Sequence, residues 1–166
     1  MRADITISCE RGVRPEFGLK RRLRRCIKTV MKAEHIEENV HVDVLLTDDE
    51  GIRVINREYR NIDSATDVLS FPMNELMPGR FESEKCVKNP ENGQILLGDM
   101  VISVERCRAQ AEEFGNGFDR EICYLTVHSA LHLLGYDHVD EDVMKRQMRR
   151  REEYIMRMLG LSKLEK

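Results

Sequence analysis

The stretch QILLGDMVIS, residues 94–103, is a near-continuous apolar run with the length of one strand. A run of this kind indicates a strand that is buried in the core rather than one with a solvent-exposed face. Ser103 at its end is a favoured helix N-cap residue, and the apolar residues that follow keep helical spacing until Gly115. A buried strand that leads directly into a helix indicates a fold that mixes the two kinds of element.

Strand-like and helix-like patterns of apolar residues recur along the rest of the chain. Alternating apolar residues predict three further strands, at 3–9, 40–46 and 67–71. Apolar residues at helical spacing predict four further helices, at 16–32, from a capping box at 47–50 to 60, at 119–134 and from 140 onward. The region 72–94 contains three of the four prolines and no sustained period, so we predict a long loop there.

These elements predict an α+β fold, with mixed α/β as the alternative. It consists of a small mixed sheet of about four strands packed with about five helices. The chain has 166 residues, of which 41% are hydrophobic, and this is the size and composition of one domain, 1–166.

Cysteine usage and the absence of long apolar segments predict a cytoplasmic protein. The five cysteines contain no CxxC pair, which argues against both a disulfide framework and a thiolate zinc ribbon. No apolar run approaches the ~20 residues that cross a bilayer, and the N-terminus lacks the pattern of a signal peptide. We therefore expect no membrane association, and the oligomeric state stays open.

Charge is segregated along the chain although the net charge is only −3. Nine Lys and Arg residues and one Glu lie within 11–32, whereas 34–50 contains seven acids and no Lys or Arg. A second basic cluster contains Lys145, Arg146 and Arg149–Arg151. The charged face of the predicted helix at 16–32, the basic helix, is either simply exposed to solvent, paired with the acidic segment, or a binding surface for a polyanion such as RNA.

Three of the five histidines, His128, His132 and His138, lie within eleven positions. His128 and His132 are one helical turn apart, so their rings project from one face of a helix and can bind one ion. Gly135 permits a turn that brings His138 back to the same ion. Three imidazoles and an open position suit one catalytic Zn²⁺ per chain, which lowers the pKa of a coordinated water toward ~7. The metal site is predicted on a helix-turn near the C-terminal third.

Two other zinc chemistries fit this pattern less well. A structural zinc needs a fourth protein ligand, and the nearest thiol, Cys123, lies roughly 140° around the helix from His128. The spacing also matches the metzincin protease pattern HExxHxxGxxH, but Ser129 stands where the glutamate base is required. An activated water can still attack a phosphodiester if a cation stabilises the charge that develops on the phosphate oxygens.

Three segments together resemble the YbeY family of zinc-dependent single-strand endoribonucleases, which mature rRNA in bacteria: HSALHLLGYDH (128–138), NREYRNIDSATDVLSFP (56–72) and LLGDMVIS (96–103). The resemblance implies a hydrolase that cleaves single-stranded rRNA during small-subunit ribosome maturation, with ribosomal particles as partners. It also implies that His128, His132 and His138 bind zinc and that Arg60 is the catalytic cation. A zinc metallopeptidase and a non-catalytic, zinc-braced ribosome-assembly factor are the alternatives.

Two positions depart from the family pattern, since the family usually has Gly where Ser129 stands and Pro where Ala65 stands. Asp67 and Asp99 follow or lie within predicted strands, so each is a candidate to orient a histidine or to cap a helix.

Overall fold

The computed structural model of the protein describes residues 1–137 and 142–163. Its elements follow one another as β1 (Ala3–Cys9), α1 (Leu19–Ala33), β2 (Val40–Thr47), α2 (Asp49–Arg60), β3 (Val68–Pro72), β4 (Ile95–Ser103), α3 (Val104–Glu113), α4 (Phe118–Leu133) and α5 (Asp142–Met158). A short 3₁₀ helix, Ser83–Lys85, lies between β3 and β4. Within the described ranges, no helix combines the length and the apolar composition required to cross a membrane.

The four strands form one mixed sheet in the order β1-β2-β4-β3. β1 pairs with β2, and β2 with β4, in parallel, whereas β3 runs antiparallel to β4. β4 therefore has a neighbour on each side, and Leu97, Met100 and Ile102 within it are fully buried. The α+β class and the buried strand predicted from 94–103 are both confirmed.

The main core lies between one face of the sheet and the helices α1, α4 and α5. A smaller cluster of Ile52, Leu69 and Val101 packs α2 against the opposite face. The central helix is α4, because ten of its sixteen residues are buried and it contacts α1, α3, α5 and β3. Each fully buried aliphatic side chain, such as that of Leu131, stabilises the fold by about 1.5–3 kcal/mol. The helix that carries two predicted zinc ligands is thus held on several sides.

Two predicted helix starts are wrong, each for a local reason. α1 begins at Leu19 rather than at 16, because Gly18 adopts a left-handed φ of 81° that does not belong to a helix. α2 is capped by Asp48, whose carboxylate accepts a hydrogen bond from a backbone amide of the first turn at 2.8 Å, and not by Thr47. The predicted start of the last helix, Asp140, lies outside the described residues.

The predicted loop at 72–94 is packed against the sheet and against the end of α4. The Asn74 side-chain amide donates to the Leu96 carbonyl at 2.8 Å, and its oxygen accepts from the Val87 amide at 2.7 Å. Gly135, just after α4, has a φ of 93°, and a Cβ there would lie 2.1 Å from the Leu76 carbonyl oxygen. The loop therefore lies directly against the turn that follows the histidine helix, and only glycine fits this contact.

Candidate metal centre

His128 and His132 project from the same face of α4, as their spacing predicts. Their Nε2 atoms are 3.1 Å apart, and the two rings are nearly perpendicular, with centroids separated by 4.6 Å. Two ligand nitrogens of a tetrahedral zinc ion, each at 2.0–2.1 Å from the metal, lie about 3.4 Å apart. The distance between the two Nε2 atoms is therefore close to the distance between two ligand atoms of one zinc ion.

The other nitrogen of each ring contacts a hydrogen-bond acceptor, and this contact sets the tautomer. His128 Nδ1 lies 2.6 Å from Glu152 Oε1, and His132 Nδ1 lies 2.7 Å from the Tyr136 carbonyl oxygen. A carbonyl and a carboxylate only accept, so both Nδ1 atoms carry the proton and donate. In the neutral rings the Nε2 atoms are then the metal-binding nitrogens, and they lie 3.1 Å apart. Two imidazole nitrogens at this separation, each with its Nδ1 held by an acceptor, fit a metal ion.

Glu152 reaches this site from α5, and sequence reasoning missed it. Its side chain is buried, and its second oxygen accepts a hydrogen bond from the Tyr124 hydroxyl at 3.0 Å. Burial, and the neighbouring Glu152 carboxylate, raise the pKa of Tyr124, so this hydroxyl stays a donor. A signal was present in the sequence, because Glu152 lies on the same helical face as the inward Met148 and Ile155.

The two aspartates considered as histidine partners are engaged elsewhere. Asp67 accepts hydrogen bonds from the Val68 amide at 2.7 Å and from the Gln110 side chain at 3.2 Å. Asp99 lies near Asp43, and burial together with that second carboxylate raises the pKa of Asp99. Neither makes a described hydrogen bond to His128 or His132, so a role for either aspartate stays a prediction.

The turn after α4 follows the prediction as far as the structure describes it. Gly135 takes the left-handed conformation, and the chain folds back so that the Tyr136 carbonyl meets His132. His138, the third predicted ligand, lies outside the described residues. Among the residues described, no group of three His, Cys, Asp or Glu side chains is arranged to hold a metal ion. The three-histidine site therefore stays a prediction.

Ser129 and Cys123 point away from the imidazole pair. The Ser129 hydroxyl is fully buried and lies 2.7 Å from the Ser70 hydroxyl of β3. Cys123 is fully buried, and the Cys26 thiol of α1 lowers the pKa of the Cys123 thiol. A buried hydroxyl bonded to the sheet cannot act as a general base, and the buried thiol is directed at α1.

Arg60 is the last residue of α2 and is exposed. Its Nη2 donates to the Ser70 carbonyl at 3.0 Å, and its guanidinium carbon lies 5.7 Å from the centre of the Phe71 ring. Ser70 thus contacts Arg60 through its backbone and Ser129, the neighbour of His128, through its hydroxyl. Two contacts therefore connect the Arg60 guanidinium to α4, although Arg60 and His128 are 68 positions apart in sequence.

A family model described as endoribonuclease YbeY matches residues 5–160. The chain belongs to the endoribonuclease YbeY family. All three segments that carried the resemblance lie inside the matched range, so that resemblance is confirmed.

Several curated relatives named endoribonuclease YbeY are similar to the chain. The one from Clostridium kluyveri is 48% identical over 141 residues, which cover 81% of this chain and 85% of the relative. The one from Caldicellulosiruptor bescii is 48% identical over 127 residues, covering 76% and 78%. The solution structure of a target protein from Thermotoga maritima matches with a TM-score of 0.56 and 26% identity, covering 94% of this chain and 91% of that one.

Proposed function

We propose that this chain is a metal-dependent endoribonuclease that cleaves single-stranded regions of rRNA during maturation of the small ribosomal subunit. The observation that carries the proposal is the pair of converging Nε2 atoms on α4, in a chain of the endoribonuclease YbeY family. The substrate class is RNA, and ribosomal particles are the partners. The proposed enzyme is one domain that works in the cytoplasm, where its free cysteines fit a reducing environment.

His128, His132 and His138 are the residues that would hold one Zn²⁺ per chain. When bound, the ion supplies Lewis acidity and an activated water. Glu152 and the Tyr136 carbonyl hold the first two rings through their Nδ1 protons, which keeps each Nε2 available for the metal. These two contacts orient the imidazole rings of His128 and His132 before any metal binds. The conformational entropy of the two side chains is therefore lost on folding rather than on metal binding.

Arg60 would bind the phosphate oxygens and stabilise their developing charge. One of its five N–H donors is used by the Ser70 carbonyl, and this contact fixes the direction of the side chain. The remaining donors make no described hydrogen bond within the protein, so they remain for a phosphate. Charge-assisted hydrogen bonds from a positioned guanidinium act most strongly on the transition state.

The two alternatives differ in what the site must contain. A metallopeptidase needs a carboxylate base, and the buried Ser129 at that position argues against it. A zinc-braced assembly factor without activity needs a closed site with a fourth protein ligand. Activity measurements on matched variants separate these possibilities.

The test is cleavage of an end-labelled single-stranded RNA by the purified, zinc-loaded protein, with the same RNA in a duplex as comparison. Arg60→Ala should lose at least about 100-fold in rate while it keeps its zinc, because one transition-state donor is worth about 10²–10³. Arg57→Ala is the matched control, since Arg57 is exposed one turn earlier on the same helix. His132→Ala should lose both zinc and cleavage. Zinc-loaded protein that leaves RNA intact but degrades a denatured protein would refute the proposal.

A further inference from the structure

A depression of about 970 Å³ lies along α1, and cations line it. We name it the basic groove and define it by its five lining Lys and Arg residues, which are Arg21, Arg24, Arg25, Lys28 and Lys32. Among all the residues that line it, each of which the structure describes, Glu37 is the only acid. The surface therefore carries strong local positive charge on a chain whose net charge is −3.

The five cations form one stripe. At 100° per residue they fall within about 100° of the helix circumference, and from Arg21 to Lys32 the stripe is about 16 Å long. Arg24 Nε donates to the Ile5 carbonyl at 3.3 Å, which joins the stripe to β1, the edge strand of the sheet. The groove thus runs along α1, and its length spans several consecutive phosphates of one strand.

Within the described residues, no carboxylate forms an ion pair with any of the five cations of this stripe, although Glu37 lies in the groove. Arg22, which faces a different direction, forms an ion pair with Asp119 at 2.8 Å and is not part of the groove. Some acids of the 34–50 segment, the other partner considered for the basic helix, form ion pairs with residues outside α1. Glu34 pairs with Arg151, Asp49 with Arg106 and Glu50 with Arg53. Three of the seven acids in 34–50 are thus paired with residues outside α1, whereas Glu37 lines the groove itself.

A series of contacts joins the C-terminal end of the groove to the candidate metal centre. Lys32 lines the groove, and Glu34, at most about 7 Å of chain further on, accepts a hydrogen bond from the Tyr136 hydroxyl at 2.7 Å. The carbonyl of that same Tyr136 accepts the His132 Nδ1 proton. Glu34 and Tyr136 thus connect the end of α1 to His132.

We propose that the basic groove binds the phosphate backbone of single-stranded RNA and leads the strand to the metal centre. This inference rests on the proposed function, since it names the surface that would hold the substrate outside the cleavage site. Contacts to phosphates release counterions, so each one contributes about 0.7 to the log-log salt slope of single-strand binding. Recognition of this kind depends on charge and requires no particular base.

The experiment measures binding of the full-length, zinc-loaded protein to a fluorescent 16-nucleotide 2′-O-methyl-uridine strand by anisotropy at several KCl concentrations. This strand keeps every phosphate, and a denaturing gel after each titration verifies that it is intact. The groove variant carries Arg21→Gln, Arg25→Gln and Lys28→Gln. The matched control carries Lys145→Gln, Arg146→Gln and Arg150→Gln, which remove the same charge from α5. Thermal unfolding of both variants checks the fold.

The groove variant should reduce the salt slope by about 2 and weaken binding of order 100-fold at 0.1 M salt, from three lost contacts at 0.7 each. The control should change the slope by less than one contact. An unchanged slope in a folded groove variant, or an equal loss in the control, would overturn the inference. Because binding is measured without cleavage, the two proposals fail separately. Groove-dependent binding without any RNase activity supports the groove and refutes the enzyme, whereas cleavage with an unchanged slope refutes only the groove.

Discussion

Replacing Glu152 with glutamine should weaken zinc binding although Glu152 is not a ligand. The carboxylate accepts from His128 Nδ1 at 2.6 Å and from the Tyr124 hydroxyl at 3.0 Å, and it is buried. Glutamine has nearly the same volume but no charge, so its oxygen can accept from His128 Nδ1 while its NH₂ group donates to the Tyr124 hydroxyl, which must turn to accept. The variant therefore replaces a charge-assisted hydrogen bond to His128 by a neutral one without creating a cavity.

The magnitude follows from the charge that is lost. A hydrogen bond to a charged group contributes about 1.5–3 kcal/mol and one between neutral groups about 0.5–1.5 kcal/mol, so the difference of about 1–1.5 kcal/mol corresponds to roughly a 10-fold rise in the zinc dissociation constant. In metalloproteins generally, replacing a residue that orients a metal-binding histidine weakens metal affinity by about 10- to 100-fold.

Competition titration against a chromophoric zinc chelator measures this constant directly. Glu153→Gln is the matched control, because Glu153 is the exposed neighbour on the same helix and makes no described contact with the site. Circular dichroism should show that both variants keep the native helix content. Equal zinc affinity of Glu152→Gln and wild type would refute the view that this carboxylate orients a metal ligand.

Three further predictions concern the framework around the site. Gly135→Ala should lower the free energy of unfolding by roughly 2–5 kcal/mol, because it adds left-handed strain and a collision with the Leu76 carbonyl. Gly93→Ala is the control: its φ is also positive but the space around it is open, so it should cost about 1 kcal/mol in the same thermal unfolding measurement. Arg151→Ala should lower the free energy of unfolding in denaturant by about 1.5–3 kcal/mol, because it leaves the buried Glu34 carboxylate without its 2.7 Å partner. An equal decrease for Arg150→Ala, at an exposed position, would contradict this. In a thiol titration at pH 8 the half-buried Cys9 should react first, and Cys107 only after unfolding, because burial raises the pKa of Cys107 to about 12 and keeps it protonated.

The second basic cluster shows how packing changes the meaning of a charge pattern. By sequence, Arg151 belongs with Lys145, Arg146, Arg149 and Arg150. In the fold its guanidinium binds Glu34 and the Ala33 carbonyl, so it connects α5 to the end of α1 instead of facing a ligand. A helical period separates inward from outward positions, but it does not say which outward residue meets a neighbouring helix.

Local periodicity was sufficient for the elements and for part of the site. Strand alternation and helical spacing depend on geometry within a few residues, so β1 and the buried β4 were predicted close to their observed bounds. The convergence of His128 and His132 follows from the same geometry, because four residues make about one turn of any α-helix. The left-handed turn at Gly135 was also readable, since glycine tolerates a positive φ.

Contacts between distant parts of the chain were decided by the tertiary structure alone. The partner of His128 is Glu152, 24 residues away on another helix, and the residue that bridges Arg60 to α4 is Ser70 on β3. The ion pair that separates Arg22 from the cations of the basic groove depends on where α4 places Asp119. These contacts follow from how helices pack on the sheet, which is set by the shape of the whole core and by no local period. The sequence by itself therefore determined which elements form and which residue types can bind a metal, and the packing of those elements decided which partners orient them.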